Sequence, residues 1–162
     1  MSIASIVTRG NMKLYLLTNT YCGGQHSGIQ GVHSATRLLG KYTFDDRDWK
    51  DESTAIYDWY NNHETVVLLN SGRDHFSMLE LEKELEEFER EEKPTFKKLP
   101  FAVFREPGMN NSISSIAVLC STEMVTDMGS MRSSLMDSLN MIHKYGNILG
   151  NILIDITYMR TM

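Results

Sequence analysis

An α/β fold is the class that this 162-residue chain predicts, and three features point to it. Strand-like and helix-like segments alternate along the chain, the pattern of a sheet covered by helices. An apolar strand, Leu14-Tyr15-Leu16-Leu17, empties into Tyr21-Cys22-Gly23-Gly24-Gln25-His26-Ser27-Gly28, which opens a helix. Thr65 to Leu69 is a near-continuous apolar run, as a central strand covered on both faces requires.

Taken in order, the first strand spans Lys13 to Thr20, and a helix follows from Ser27 to about Lys41. That helix places Ile29, Val32, Ala35, Leu38 and Leu39 at helical spacing, with Gly40 near its end. A polar connection, Asp45-Asp46-Arg47-Asp48, leads to a helix from Ser53 to Asn61 presenting Ile56, Trp59 and Tyr60, and then to the Thr65 strand. Ser77 and Glu80 form a capping signature for a charged helix whose buried stripe is Met78, Leu81, Leu85 and Phe88, and Pro94 stops it. Phe101 to Phe104 and Ser114 to Cys120 are the third and fourth strands, joined by the turn-rich loop Glu106-Pro107-Gly108-Met109-Asn110-Asn111. A methionine-rich helical segment follows Thr122, with Met124, Met128, Met131, Leu135, Leu139 and Ile142 near one face and Gly146 as its cap. The last apolar run, Ile148 to Ile156, fits a helix, an edge strand or a subunit contact, and it favours a homodimer or larger assembly.

The length suits one domain. Residues 1–11 read as a tail, 12–122 as the α/β domain and 123–162 as a Met-rich helical extension, and Met12 is a second candidate start. No apolar run reaches the eighteen or so residues of a membrane span, and the first residues lack the pattern of a secretory signal. Cys22 and Cys120 are the only cysteines, which reads as two reduced thiols in a cytoplasmic protein. The net charge is −5, but Glu80 to Glu92 alone carries −6, so the remainder is close to neutral. A small charged ligand suits that balance better than a long polyanion, whose affinity is built from many Lys and Arg contacts.

Chemistry concentrates where the first strand meets the first helix, a place where the helix's leading N–H groups lack partners and its dipole end is positive. An anion is the expected guest. Gly23, Gly24 and Gly28 allow main-chain amides to approach a phosphate, although glycines in such a turn also serve the turn alone, and the spacing is not that of a P-loop. Gln25 and Ser27 add polar groups, and Tyr21 offers either a stacking face for a base or packing on the sheet. His26 and His33 lie seven residues apart, roughly 10 Å along a helix, so a ligand fits between them. One as base and one as acid would cleave a phosphodiester beside a ribose hydroxyl; the plainer readings are an exposed loop residue and a helix residue packed on the sheet. Arg105, Glu106, Asn110, Asn111, Ser114 and Ser115 offer groups for base edges and sugar hydroxyls, or simply form a turn. The histidines show no zinc-type spacing, and no metal or other cofactor is expected.

Gln30-Gly31-Val32-His33 on the first helix, Glu106-Pro107, and Ser114-Ser115-Ile116-Ala117 together resemble the type 2 peptidyl-tRNA hydrolase family over roughly residues 12 to 120. Members carry a Gln-x-x-His-Ala helix after their first strand, then a proline loop and a Thr-x-Ile-Ala strand near their end. The resemblance implies a mixed sheet of about four strands with helices on both faces, and hydrolysis of the ester linking a peptide to tRNA. Three positions depart from the family pattern. His26 stands where the family has a lysine, Gly108 where an acid tends to follow the proline, and Ser114 where the last motif has threonine. The lysine and the acid are among the groups assigned to the family's hydrolysis, so the expected partner shifts from tRNA to a small nucleotide that is sequestered or cleaved. Removal of a nucleotide immune signal by a viral or mobile-element protein is one role that would suit such a chain. An ester hydrolase with an altered site and a non-catalytic protein-binding module are the alternatives.

Overall fold

The computed structural model describes residues 11–44, 49–91 and 98–162. Five strands form one mixed sheet: β1 (Lys13–Thr18), β2 (Thr65–Asn70), β3 (Phe101–Glu106), β4 (Ser112–Cys120) and β5 (Arg160–Thr161), in the spatial order β3-β4-β1-β2-β5. β1 runs parallel to β2, and the other three pairings are antiparallel. A parallel pair needs a long crossover, and here it contains two helices, α1 (Gly24–Phe44) and α2 (Lys50–Asn62). The α/β class and the helices on both faces are as expected. The strand beyond the expected four is β5, two residues that pair with the outer edge of β2 after the chain leaves its last helix.

Side chains alternate across the strands, and this divides the core in two. Leu14 and Leu16 of β1, Ala117 and Leu119 of β4 and Ala102 of β3 pack with Leu38 and Tyr42 of α1 and with Ile56 and Trp59 of α2. Tyr15, Leu17, Ile116, Val118 and Cys120 face the other way. They meet α3 (His75–Arg90) and three C-terminal helices, α4 (Thr122–Ser130), α5 (Leu135–Tyr145) and α6 (Asn147–Tyr158), through Met78, Leu81, Leu85, Met124, Met141, Leu149, Ile152 and Leu153.

The face that α1 buries differs from the expected apolar stripe. Ser27, Gln30, Gly31, Ser34, Leu38 and Tyr42 point inward, while Ile29 is 55% and Val32 63% exposed. Close approach is the reason. A Cβ on Gly31 would stand 3.0 Å from Leu16 Cδ1 and 3.2 Å from Leu68 Cδ1, so the helix rides on small residues where branched ones would lift it away. The helix also starts three residues earlier than Ser27, at Gly24, whose φ of +53° lies in the left-handed region that glycine tolerates best.

Several other expectations are corrected. Asp74, one turn before the expected Ser77 cap, is the residue whose carboxylate accepts the Ser77 N–H at 2.9 Å and starts α3. The Met-rich segment is two helices rather than one, because Ser133 takes a positive φ of 62° and the Ser134 hydroxyl caps a new start at α5. β2 is not covered on both faces: Val66 is 49% exposed, and beyond β2 lies only the short β5. β4 is instead the strand buried without a break from Ile113 to Cys120. The run from Ile148 to Ile156 lies in α6, with Leu149, Ile152, Leu153 and Ile156 inside the core, so the apolar surface on which a subunit contact was expected is internal. The connection at Asp45-Asp46-Arg47-Asp48 and the stop at Pro94 fall outside the described residues. Among those described, no helix is long and apolar enough to cross a membrane.

α5 and α6 meet at Gly150, where an added Cβ would lie 2.8 Å from Ile142 Cα and 3.0 Å from the Met141 carbonyl oxygen. Main-chain atoms cannot swing aside as a side-chain tip can. Gly150→Ala is therefore expected to lower stability by about 1–3 kcal/mol, read as an earlier urea midpoint at unchanged slope; a midpoint equal to that of the parent chain would show that the two helices separate freely.

Candidate functional site

Asn19, directly after β1, is buried and anchors the turn into α1. Its main-chain N–H donates to the Ser114 carbonyl at 2.9 Å and its side-chain amide to the Ile113 carbonyl at 3.1 Å, while its Oδ1 accepts the Tyr21 N–H at 3.0 Å. The first turn of α1 is thereby tied to the end of β4. No acid occupies that first turn, and, apart from chain neighbours and the helix's own backbone, no described heavy atom lies within 4 Å of where a Cβ would stand on Gly23, Gly24 or Gly28. The helix start is open above its main chain.

β4 carries a bulge that shapes the site. Phe104 pairs with Ser115 but Arg105 pairs with Ile113, leaving Ser114 as the extra residue. A bulge resets the alternation of the strand. Ile113 and Ile116 both enter the α3 side of the core, and the adjacent serines Ser114 and Ser115 both bond to α1. Ser115 Oγ and Ser34 Oγ are 2.6 Å apart in the buried helix-to-sheet contact.

Ser114 reaches Gln30, the hub of the arrangement. Gln30 is 3% exposed. Its Oε1 accepts the Ser114 hydroxyl at 2.7 Å, and its Nε2 lies 2.9 Å from Glu106 Oε2 and 2.9 Å from His26 Nε2. Glu106 also accepts the Gly108 N–H at 3.3 Å. These donors, first Gln30 and then Gly108, hold its carboxyl below the usual carboxylate range, and the His33 and His26 imidazoles act in the same direction. His33 stacks on Phe104 of β3 with ring centroids 4.4 Å apart and planes 19° from parallel. Both imidazoles are exposed and both neighbour one carboxylate.

His26, Gln30, His33, Glu106 and Ser114 thus form a single cluster, with Ser115 behind it. Gly23, Gly24, Gln25 and Ser27 lie in the turn and first helical turn beside it; Ser27 is fully buried and its hydroxyl has no hydrogen-bond partner among the described residues. Tyr21 is 73% exposed rather than packed on the sheet. Arg105 is a correction. The strand turns it to the opposite face, where it pairs with Glu82 of α3 at 2.5 Å. Asn110 and Asn111 occupy left-handed positions, φ 52° and 57°, at the exposed tip of the β3–β4 hairpin, where they form the turn. Cys22 is buried, its Sγ 4.0 Å from the Ser114 carbonyl oxygen, and burial, with Glu106 nearby, raises its pKa. A protonated thiol is a poor nucleophile.

Phe104, Ser34 and Asn19 were not foreseen as site residues. Phe104 and Ser34 carried no signal of their own, since one reads as a plain strand residue and the other as a helix serine. Asn19 lies within the stretch expected to be strand. Beside the cluster, an open apolar depression of about 460 Å³ is lined by Gln25, Gly28, Ile29, Val32 and His33. A larger cavity, about 720 Å³, lies at the opposite end of the sheet among Met12, Asp51, Tyr57, Asp58, Lys98 and Glu123. It holds no histidine, so size and chemistry separate here, and the imidazole cluster is the better candidate. Among the described residues, no group of three or more His, Cys, Asp or Glu side chains is placed to hold a metal ion. No protein-family model matches the chain, and no curated protein is similar enough in sequence to match it.

The depressed pKa of Glu106 has a definite sign. A carboxylate held below its unfolded value stabilises the fold above that value, about 4.3 for Glu, and the contribution is lost as pH falls through the lower folded value. Glu106→Gln is expected to flatten the fall in melting temperature between about pH 5 and pH 3, compared with the parent chain by thermal denaturation; parallel curves would mean that the carboxylate does not respond to its donors.

Proposed function

We propose that the protein binds a small, phosphate-bearing nucleotide at the junction of β1 and α1, where it sequesters or cleaves it. The observation that carries this reading is the linkage of His26 to Glu106 through the buried amide of Gln30, with His33 near the same carboxylate, beside the open amino end of a long helix. A phosphate suits the helix start, where main-chain N–H groups and the positive dipole end favour negative charge. The His26 imidazole stands next to it in sequence and in the helix.

Glu106 suits a different part of the same ligand. An ionised carboxylate repels phosphate but accepts hydrogen bonds from sugar hydroxyls, as acidic residues do for ribose in other nucleotide sites. Tyr21, exposed before the helix, and the depression at Ile29 and Val32 supply surface for a base. Phosphate, ribose and base each find a group of suitable chemistry within one short stretch.

A second reading, hydrolysis of peptidyl-tRNA or a related ester, draws support from how the network is wired. Glu106 and Ser114, from two of the three motifs that resemble the type 2 peptidyl-tRNA hydrolases, are both hydrogen-bonded to Gln30 of the third. His26 would then do the work of the missing lysine.

Titration calorimetry with a panel of linear and cyclic nucleotides, run beside a peptidyl-tRNA turnover assay, separates the two. Nucleotide binding weakened about tenfold or more, about 1.4 kcal/mol, in His26→Ala and in His33→Ala is the expected result. The His33 side chain is exposed, so that variant should melt close to the parent chain, whereas His26→Ala also removes a partner of the Gln30 amide and is compared well below its melting transition. Turnover of peptidyl-tRNA with no nucleotide bound would overturn the proposal.

A further inference from the structure

The hydrogen bonds around Gln30 leave a single consistent placement of protons. Glu106, held ionised at neutral pH, has only acceptor sites, so the Gln30 atom 2.9 Å from Glu106 Oε2 must be the amide nitrogen. The amide oxygen then faces Ser114, whose hydroxyl donates to it at 2.7 Å. One N–H of the amide goes to Glu106, and the other points at His26 Nε2, also 2.9 Å away. An N–H cannot point at another N–H. His26 Nε2 must therefore offer its lone pair, and in the neutral ring the proton resides on Nδ1.

Resting on the ligand site proposed above, we infer that Gln30 is a positioning residue that fixes His26 as an Nδ1–H donor toward the ligand and leaves proton acceptance to His33. Glu106 and Ser114 orient the amide from its two ends, and the amide in turn selects the tautomer, as second partners commonly do for histidine. His26 cannot take up a proton on Nε2 without breaking its bond to Gln30. His33 is under no such restraint: its ring is held by the face of Phe104, and among the described residues no hydrogen bond engages either of its nitrogens. Two histidines that look equivalent in sequence are given different tasks by one buried amide.

The test is two-bond proton–nitrogen correlation spectroscopy on the full chain with nitrogen-15 histidine, at about pH 8 where an ordinary imidazole is neutral. Signals are assigned by the loss of one in His26→Ala and another in His33→Ala. The expected spectrum shows His26 as the Nδ1–H form, and that preference falls several-fold in Gln30→Met. Because Gln30 is buried, Glu106→Ala gives a second test at an accessible position: with the carboxylate gone the amide is free to turn over, and the His26 preference should weaken likewise. Adenosine 5′-monophosphate, with inorganic phosphate run alongside, should shift His26 Nδ1. A parent chain in which His26 carries its proton on Nε2 would overturn the inference whatever the nucleotide does. An Nδ1–H form that neither probe perturbs, at either imidazole, would instead overturn the ligand reading and the donor role with it, while leaving the tautomer assignment in place.

Discussion

The buried amide of Gln30 is the interaction on which the rest of the site depends. A polar group so enclosed costs about 1–3 kcal/mol for each bonding site left unmet, and here the amide oxygen and both amide hydrogens have partners on three different elements. The helix, the edge strand and the bulged strand must all be in place for the amide to be satisfied. Conversely, once satisfied, it fixes the distance and orientation of α1 relative to β3 and β4. Packing alone sets such relations loosely, whereas a fully bonded polar group inside a core sets them narrowly.

That amide can be buried only because α1 lies close to the sheet, and Gly31 permits this. Helix and sheet touch through Ser27, Gly31 and Ser34, with Ser34 and Ser115 bonded at 2.6 Å in place of an apolar contact. The apolar part of the contact begins further along, at Leu38 and Tyr42. Tyr42 closes that end: its one hydroxyl proton has Glu89 Oε1 and the Phe101 carbonyl oxygen within reach, at 3.1 and 3.2 Å, while its hydroxyl oxygen accepts the Phe101 N–H. α1 is therefore polar and tightly set at its amino end and conventionally hydrophobic at the other. The C-terminal helices have no part in this contact; they fill the opposite side of the sheet.

Most of the element order was legible because burial leaves a period in the sequence. Met78, Leu81, Leu85 and Phe88 mark α3 by spacing alone, and the alternation of strand and helix gave the class. α1 was misjudged for a physical reason: hydrophobic spacing records transfer out of water, and it has no term for close approach, so Ile29 and Val32 outscored Gly31 and Ser34. β2 was misjudged because an apolar run says what could be covered and not what covers it. Within the cluster, His26, Gln30, His33, Glu106 and Ser114 were recognisable as polar residues in the motifs around the first strand–helix junction and the β3–β4 loop. Their mutual geometry was not. The bulge that turns Ser114 toward α1, the face that takes Arg105 away and the ring of Phe104 beneath His33 are consequences of register, which no local pattern encodes.

The distribution of charge about the sheet carries one more consequence. α1 contains no Asp or Glu and bears Arg37 and Lys41, whereas α3, across the sheet, carries Glu80, Glu82, Glu84, Glu86, Glu87 and Glu89. Among the described residues, Glu89 is the one acid of α3 that bonds Lys41 of α1. Charge is thus divided unevenly between these two helices, with the strongly acidic one on the face away from the imidazoles. A small anion therefore meets less repulsion from α1 than from α3, and the contrast fades as added salt shortens the Debye length. An acidic protein can in this way keep one long helix free of carboxylates while its total charge stays negative.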